Sequence, residues 1–218
     1  MQISHLRGAT ILLTFFCQLF IFISCREEVG NVPQVKVRDS LQAFKGNDFA
    51  AIDQSPLDIS YCPHDFPQKK MSNTATSNAP VARVLYSRPH KKGRKIFGAD
   101  SSNICPYGQA WRLGANESTE IAFFSPVVIN GENINPGRYV MYCIPQQDKW
   151  VIVFNSNLDS WGLNIDPSKD VFSVELPVQI QSPAVEDFTI VFQETPTGSD
   201  LLMTWDDVKV LLPITYTK

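Results

Sequence analysis

The highest density of chemically active side chains is a basic run that places five cations within eight residues. Guanidinium groups bind carboxylate or phosphate through two parallel hydrogen bonds, so the arginines of this run are better specificity determinants than its lysines. The run therefore predicts an anion-binding loop in which Arg88, Lys92 and Arg94 contact the ligand. Two alternatives remain open, a solvated loop surface and a set of internal ion pairs.

A second candidate segment combines aromatic and polar side chains. Tyr107 and Trp111 offer flat faces to a sugar or an aromatic ligand. Arg112, Asn116 and Glu117 supply directional donors and acceptors. If the two segments meet in the fold, they form one concave site for an anionic or carbohydrate-like ligand. The alternative is structural: Trp111 fills one end of the core, and Arg112 pairs with Glu117 to hold a tight turn.

These residues support three classes of function. The favoured class is a non-catalytic binding or accessory module that uses both segments. A hydrolase would use Glu117 as a general acid or base together with a second carboxylate such as Asp100. The chain contains no Gly-x-Ser-x-Gly or His-Glu-x-x-His motif that would favour this second class. The third class is a structural or protein-binding component, whose protein partners the sequence does not identify.

Cysteine chemistry is not expected to carry the function. Cys62, Cys105 and Cys143 cannot all pair with one another, and their density is low for a scaffold that depends on disulfides. Cys62 and His64 lack a second, closely spaced pair of metal ligands. We therefore expect no metal site and no cofactor.

Charge and composition narrow the range of partners. The chain carries a formal net charge of −3 at neutral pH, whereas nucleic-acid-binding proteins present a broad basic surface. We therefore expect no nucleic-acid partner. The hydrophobic fraction of 44% is ample for the core of one domain.

The N-terminus has the pattern of a lipoprotein signal peptide. A weakly positive start that contains Arg7 is followed by residues 9–24, which carry no charge, and then by Cys25. A spanning helix needs about 20 apolar residues, more than this run provides. We therefore expect residues 1–24 to be removed and Cys25 to be lipidated. The lipid would tether an exported protein to a membrane of the bacterial cell envelope, at the periplasmic or surface face of the outer membrane.

The chain after Cys25 divides into two parts. Residues 25–79 show no sustained periodicity and end in a polar cluster before Pro80, which predicts a flexible or extended tail. The folded domain is expected at residues 80–218, where short apolar runs alternate with turn residues.

The apolar pattern of this domain is typical of strands. Four segments, at residues 172–180, 188–192, 201–205 and 208–216, alternate apolar and polar side chains as half-buried strands do. Residues 139–144 and 150–154 are apolar on both faces, which predicts central strands. Asn130-Gly131 and Asn135-Pro-Gly137 mark turns. Together these features predict an all-β fold, an antiparallel β-sandwich of roughly eight or nine strands.

Several short and uncommon sequence motifs follow one another along this domain. They are Tyr86-Ser-Arg-Pro, Lys92-Gly-Arg-Lys-Ile-Phe-Gly, Pro106-Tyr-Gly, Trp111-Arg-Leu-Gly-Ala-Asn-Glu, Gly137-Arg-Tyr, Trp150-Val-Ile-Val-Phe-Asn and Trp161-Gly. In these motifs and their order, the chain resembles the bacterial domain of unknown function 2911 family over residues 80–216. The resemblance implies an exported or lipid-anchored protein. It supplies no reaction, substrate or catalytic residue.

Overall fold

The computed structural model describes residues 53–217, and this part of the chain is built almost entirely from strands. The strands are β1 (Leu57–Cys62), β2 (Ala82–Ser87), β3 (Phe97–Gly98), β4 (Cys105–Pro106), β5 (Thr119–Phe123), β6 (Val127–Ile129), β7 (Glu132–Ile134), β8 (Gly137–Pro145), β9 (Lys149–Asn155), β10 (Asp170–Pro177), β11 (Gln179–Thr195) and β12 (Gly198–Tyr216). One short helix, α1 (Phe66–Met71), and one 3-10 turn (Pro167–Lys169) accompany them.

Two antiparallel sheets form an open β-sandwich. The larger sheet has six strands in the order β1-β2-β5-β8-β9-β10, and the smaller one has the order β11-β12-β6-β7. The two-residue strands β3 and β4 pair in parallel outside both sheets. The predicted all-β sandwich is therefore confirmed. The strand number exceeds the predicted eight or nine because the alternation of β1 covers only a few residues within an irregular segment, and because β3 and β4 have two residues each.

The core lies between the two sheets and follows the predicted alternation. In β10 the side chains of Phe172, Val174 and Leu176 are buried, while the residues between them are exposed. Strands β8 and β9 are buried on both faces over most of their length and occupy interior positions of the larger sheet. Their continuous apolar sequences are explained by this central position, as predicted.

One tight turn illustrates how local sequence determines the fold. Asn130 and Gly131 connect β6 to β7 with φ angles of 50° and 82°, and Ile129 pairs directly with Glu132. A two-residue hairpin needs positive φ at both central positions, which asparagine and glycine adopt most readily. The turn predicted at this position is confirmed.

Strand β12 joins two segments that the sequence presents as separate strands. Its inward side chains occupy odd positions up to Trp205 and even positions from Val208 onward. The change of phase coincides with a break in the pairing between β11 and β12 near Asp206, whose φ angle is 56°. Between the pairs Thr189–Thr204 and Ile180–Val208, β11 contains more residues than β12. This bulged pairing, which we call the β12 bulge because it surrounds Asp206, returns the side chains of β12 to the same face after the break. The predicted separation of these two strands is therefore corrected.

The N-terminal boundary of the folded region also differs from the prediction. Strand β1 pairs with β2 along its whole length, from Leu57 opposite Ser87 to Cys62 opposite Ala82. The folded region therefore includes residues that precede Pro80, and the predicted domain start at residue 80 has to be corrected. The expected signal peptide and the lipidation site Cys25 lie outside the described residues. Among residues 53–217, no helix has the length and apolarity needed to cross a membrane.

Candidate functional site

The basic loop, residues 88–95, is held against neighbouring strands by its own charges. Arg88 donates from Nη1 to Asp58 Oδ2 of β1 at 3.1 Å and from Nη2 to Thr189 Oγ1 of β11 at 3.4 Å. Lys91 forms an ion pair with Asp206, the residue of the β12 bulge, and both side chains are mostly buried. These contacts connect the loop to both sheets.

The remaining polar groups of the basic loop are largely satisfied within the fold. His90 pairs with Asp187, and the Lys92 amide donates to Glu186 Oε1 at 2.7 Å. Arg94 folds back on its own loop, where its Nε donates to the carbonyl oxygen of Lys91 at 3.0 Å. Lys92 and Arg94 also line a shallow cleft of about 300 Å³. The geometry favours the alternative of internal ion pairs for Arg88 and Lys91, whereas Arg94 is bonded to carbonyl oxygens of its own loop.

Trp111 lies at the centre of an aromatic cluster in the core. Its ring centroid is 4.9 Å from that of Phe188 and 5.7 Å from that of Trp150, and Phe97 and Trp205 complete the cluster. Only 8% of its surface is exposed, and its Nε1 donates to the carbonyl oxygen of Gly114 at 3.1 Å. Trp111 therefore packs as the structural alternative describes, although one edge reaches a surface pocket.

A tight turn follows Trp111 and carries the polar residues of the second segment. Leu113 and Asn116 have φ angles of 53° and 56°, and Gly114 lies so close to β2 that a Cβ there would be 2.9 Å from the carbonyl oxygen of Ser87. Asn116 Nδ2 donates to Asp53 Oδ2 at 2.8 Å. Asn116 is thus occupied by a contact to the N-terminal end of the described chain.

Arg112 contributes to an open pocket of about 550 Å³, which we call the Arg112 pocket. Its lining includes Ile104, Cys105, Trp111, Arg112, Gly162 and Leu163. Within residues 53–217 the guanidinium group of Arg112 makes no ion pair, and its Nε atom is buried without a hydrogen-bond partner. Burial lowers the pKa of Arg112, and this effect exceeds the opposing influence of Cys105 and Glu117. The pocket therefore contains a half-buried cation whose hydrogen-bonding capacity is unmet.

The loop after β9 covers the aliphatic part of Arg112. Gly162 has a φ angle of 79°, and a Cβ at this position would lie 2.8 Å from the Cβ and Cδ atoms of Arg112. Ser118 holds this loop through its amide, which donates to the Ser160 carbonyl oxygen at 3.1 Å, and through a hydroxyl contact with Ser160 at 2.9 Å. Gly162 and Arg112 both line the pocket, so the loop after β9 forms part of its wall.

The predicted site residues do not line a single cavity. Tyr107 borders a separate cleft of about 260 Å³ with Phe97, Trp150 and Asp206. Lys92 and Arg94 belong to the shallow cleft of the basic loop, while Trp111 and Arg112 line the Arg112 pocket. The sequence does not single out Ile104 and Leu163, because isolated apolar residues in polar loops give no periodic signal. Gly162 is visible only through the family resemblance.

The carboxylates considered for hydrolysis have a geometry poorly suited to catalysis. Glu117 is exposed, and it lines none of the four clefts described in residues 53–217. Asp100 is also exposed, and its pKa is lowered by a hydrogen bond from the Ser102 amide. A general acid at neutral pH needs a raised pKa, so Asp100 is shifted in the wrong direction.

The three cysteines of the described region are free and buried. Burial raises the pKa of Cys62, Cys105 and Cys143, which keeps them in the unreactive thiol form at neutral pH. Cys62 contacts the hydroxyl groups of Ser199 at 3.1 Å and Tyr216 at 2.8 Å. These side chains have the environment of structural thiols.

One group of side chains in the described region has the donor types of a metal site. The ligand atoms of His64, Asp65 and Glu194 lie within 4.8 Å of one another. His64 and Glu194 are exposed, and Asp65 Oδ2 already pairs with Lys69 Nζ at 3.0 Å. Because two of the three side chains are exposed and the third already pairs with an ammonium group, these residues do not form a built metal site.

Comparison with known proteins gives one match, which is to a protein family. Residues 67–214 match the family described as "Protein of unknown function (DUF2911)". No curated protein and no solved structure matches the chain. The family match contains all of the uncommon motifs noted in the sequence and spans both sheets except β1 and the end of β12, so the resemblance is confirmed. The match also covers well over half of the sequence, and the chain therefore belongs to the DUF2911 family of proteins of unknown function.

Proposed function

We propose that this protein is an exported, lipid-anchored binding module of the bacterial cell envelope, and that the Arg112 pocket is its binding site. The ligand carries an anionic group, either a carboxylate, including that of a sugar acid, or a phosphate. The observation that carries this proposal is the half-buried guanidinium group of Arg112, which lines a pocket of about 550 Å³ and has no partner within residues 53–217. Ligand sites in proteins have volumes of roughly 300–1,000 Å³.

The energetic argument starts from the cost of burying a charge. A buried ion without a partner is destabilising, and a buried donor without an acceptor costs about 1–3 kcal/mol. Arg83 has a buried Nε without a hydrogen-bond partner as well, but its guanidinium group stacks on the ring of Phe124 at 5.7 Å. Arg112 has no such compensation in the described part of the chain. An anion in the pocket would supply the missing acceptor through charge-assisted hydrogen bonds.

A binding role is favoured over hydrolysis by the positions of the acids. Neither Glu117 nor Asp100 lines the Arg112 pocket, and among residues 53–217 no carboxylate lies on its lining to activate a water molecule beside a ligand. The function is therefore retention or presentation of a ligand rather than its conversion.

The proposed anchor is supported by the sequence alone and needs its own test. Mass spectrometry of the N-terminal peptide from the protein purified from bacterial membranes should reveal a diacyl or triacyl modification on Cys25. A Cys25→Ser variant should lose this mass and appear in the soluble fraction. If wild type carries an unmodified Cys25 peptide, the proposed anchor is wrong.

The proposed binding site is tested by isothermal titration calorimetry of the full chain with acetate, benzoate, glucuronate and inorganic phosphate. Loss of charge-assisted hydrogen bonds worth about 1.5–3 kcal/mol predicts that Arg112→Met weakens binding about 10- to 100-fold. Arg83→Met is the matched control, since it removes an arginine with the same unmet Nε and does not line the pocket. Equal affinities in wild type and Arg112→Met, or no binding of any of these anions, would contradict the proposal.

A further inference from the structure

The lining of the Arg112 pocket combines polar atoms with several apolar side chains, and these apolar side chains restrict the kind of anion that fits. Among residues 53–217, Arg112 and Gln109 supply the charged and amide side chains of this lining. Ile104 and Leu163 lie on this lining with 39% and 69% of their surfaces exposed. Two large exposed aliphatic side chains beside one cation form an amphiphilic surface.

The local charge favours one negative charge on the ligand. Within the described part of the chain, Arg112 is the one charged residue that lines the pocket, and Glu117 is near enough to influence its pKa. Arg94 also acts on the pKa of Cys105 in this region, but its Nε and Nη2 atoms already donate to carbonyl oxygens of the basic loop. One available guanidinium group matches one carboxylate in a two-pronged contact. A second negative charge would find no further cation among the described residues that line the pocket.

From these two features we infer that the ligand is an amphiphilic monocarboxylate. Its carboxylate contacts the Arg112 guanidinium group, and its hydrocarbon part covers Ile104 and Leu163. This inference rests on the proposed function, because it names the chemical class of ligand for the same pocket. It adds that apolar contact, and not charge alone, determines which anions are retained.

The test measures affinity as a function of chain length. The full chain is titrated calorimetrically with straight-chain carboxylates from acetate to decanoate, below their micellar concentrations, and with inorganic phosphate. Transfer of one methylene group from water predicts a gain of about threefold in affinity for each added methylene, until the chain extends beyond the pocket. Octanoate should therefore bind more than tenfold more tightly than either acetate or phosphate.

Variants of the apolar lining residues separate the contribution of the ligand's hydrocarbon part from that of its carboxylate. Leu163→Ser and Ile104→Ser should reduce the ratio of octanoate to acetate affinity at least threefold and leave acetate affinity unchanged. Val171→Ser is the matched control, since Val171 is 57% exposed and does not line the pocket. It should leave the ratio unchanged. Circular dichroism checks that each variant keeps the β-sheet signal of wild type.

The outcomes distinguish this inference from the proposed function. If acetate, octanoate and phosphate bind equally and Arg112→Met abolishes all three, the inference fails and the proposed function stands. The same holds if phosphate binds and the carboxylates do not. If affinity grows with chain length but persists in Arg112→Met, the chains adsorb to apolar surface and both fail. Both also fail if neither the carboxylates nor phosphate bind.

Discussion

The basic loop and the Arg112 pocket differ in whether their positively charged side chains have partners within the fold. The loop carries five cations, and its arginines and Lys91 contact carboxylates, a threonine hydroxyl or carbonyl oxygens of the fold. The pocket carries a single arginine, which has no ion-pair partner in the described part of the chain. The comparison teaches that the density of charge along the sequence is a poor guide to a binding site. The availability of a charge after folding is the better guide.

The difference follows from the neighbours of the two regions. The basic loop runs beside β11 and the β12 bulge, where Glu186, Asp187 and Asp206 provide acceptors. The lining of the Arg112 pocket, by contrast, includes no carboxylate among residues 53–217, so it offers the guanidinium group no acceptor of this kind. Long cationic side chains reach whatever acceptors the fold brings near them.

The largest expected effect comes from the aromatic neighbour of Arg112. Trp111→Ala should lower the free energy of unfolding by about 3–5 kcal/mol, because it leaves a cavity inside the aromatic cluster. Trp161→Ala is the control, since 56% of this tryptophan is exposed and its loss should cost less than about 0.5 kcal/mol. Urea unfolding followed by tryptophan fluorescence measures both. A loss below about 1 kcal/mol in Trp111→Ala would show that Trp111 contributes little packing.

A second test titrates Tyr86, a residue that contacts one of the ion pairs of the basic loop. Tyr86 donates to Asp58, the partner of Arg88, and burial raises its pKa from 10.0 to about 12. The unfolded chain loses the phenolic proton first, so the stability contribution is complete below pH 10 and declines as pH rises toward 12. The expected loss is about 2 kcal/mol at pH 12.

The control for this titration is Tyr86→Phe. Burial raises the pKa of Tyr142 and Tyr216 in the same direction, so the variant should show a shallower decline in stability rather than none. Urea unfolding at intervals between pH 8 and 12 measures both curves. Curves of equal slope would show that the Tyr86 side chain does not remain protonated in the folded protein.

Glycine substitutions in the two regions separate backbone strain from steric contact. Gly162→Ala introduces a Cβ at positive φ and 2.8 Å from Arg112, and should cost about 1–2 kcal/mol while it distorts the pocket. Gly93→Ala in the basic loop has a similar φ of 70° and no atom within 4 Å of the new Cβ, so it reports the backbone cost alone. Thermal unfolding should place Gly162→Ala below Gly93→Ala. Equal midpoints would mean that the loop moves away from Arg112 freely.

The smallest expected effect compares two adjacent lysines of the basic loop. Lys91→Met removes the mostly buried partner of Asp206 and should cost about 1 kcal/mol, between the values for exposed and buried ion pairs. Lys92→Met changes an exposed side chain and should lie within about 0.5 kcal/mol of wild type. Chemical unfolding at low and high salt measures both. A large effect of Lys92→Met would indicate an interaction of its ammonium group that the fold does not account for.

Much of the fold could be predicted because buried and exposed side chains alternate along a strand, and this alternation is visible in the sequence. Side chains of a strand alternate between two faces, so β10 and the ends of β12 are visible as periodic patterns, and the Asn130-Gly131 turn is visible from its conformational preference. The bulge in β12 is present in the sequence as a change of phase between Trp205 and Val208. Strand β1 has only a short alternation, and its apolar residues Leu57 and Ile59 are exposed at a sheet edge, so burial does not explain the pattern there.

The candidate site was less predictable than the fold. The residue types around Trp111 and Arg112 indicated a site, and Arg112 does line a pocket. The sequence did not indicate that Tyr107, Arg94 and Arg112 border three different clefts, or that Ile104 and Leu163 would join Arg112. These placements depend on contacts between segments that are far apart along the chain.

The sequence by itself determined the fold class, the family and the chemical types available, because periodicity, turn preference and short sequence motifs are local properties of the chain. Only the tertiary structure decided which charges are paired. Lys91 meets Asp206 across the sandwich, and Arg112 meets no carboxylate at ion-pair distance in residues 53–217. The free energy of a charged side chain depends on its solvent and its nearest acceptors, and both are set by packing between distant segments.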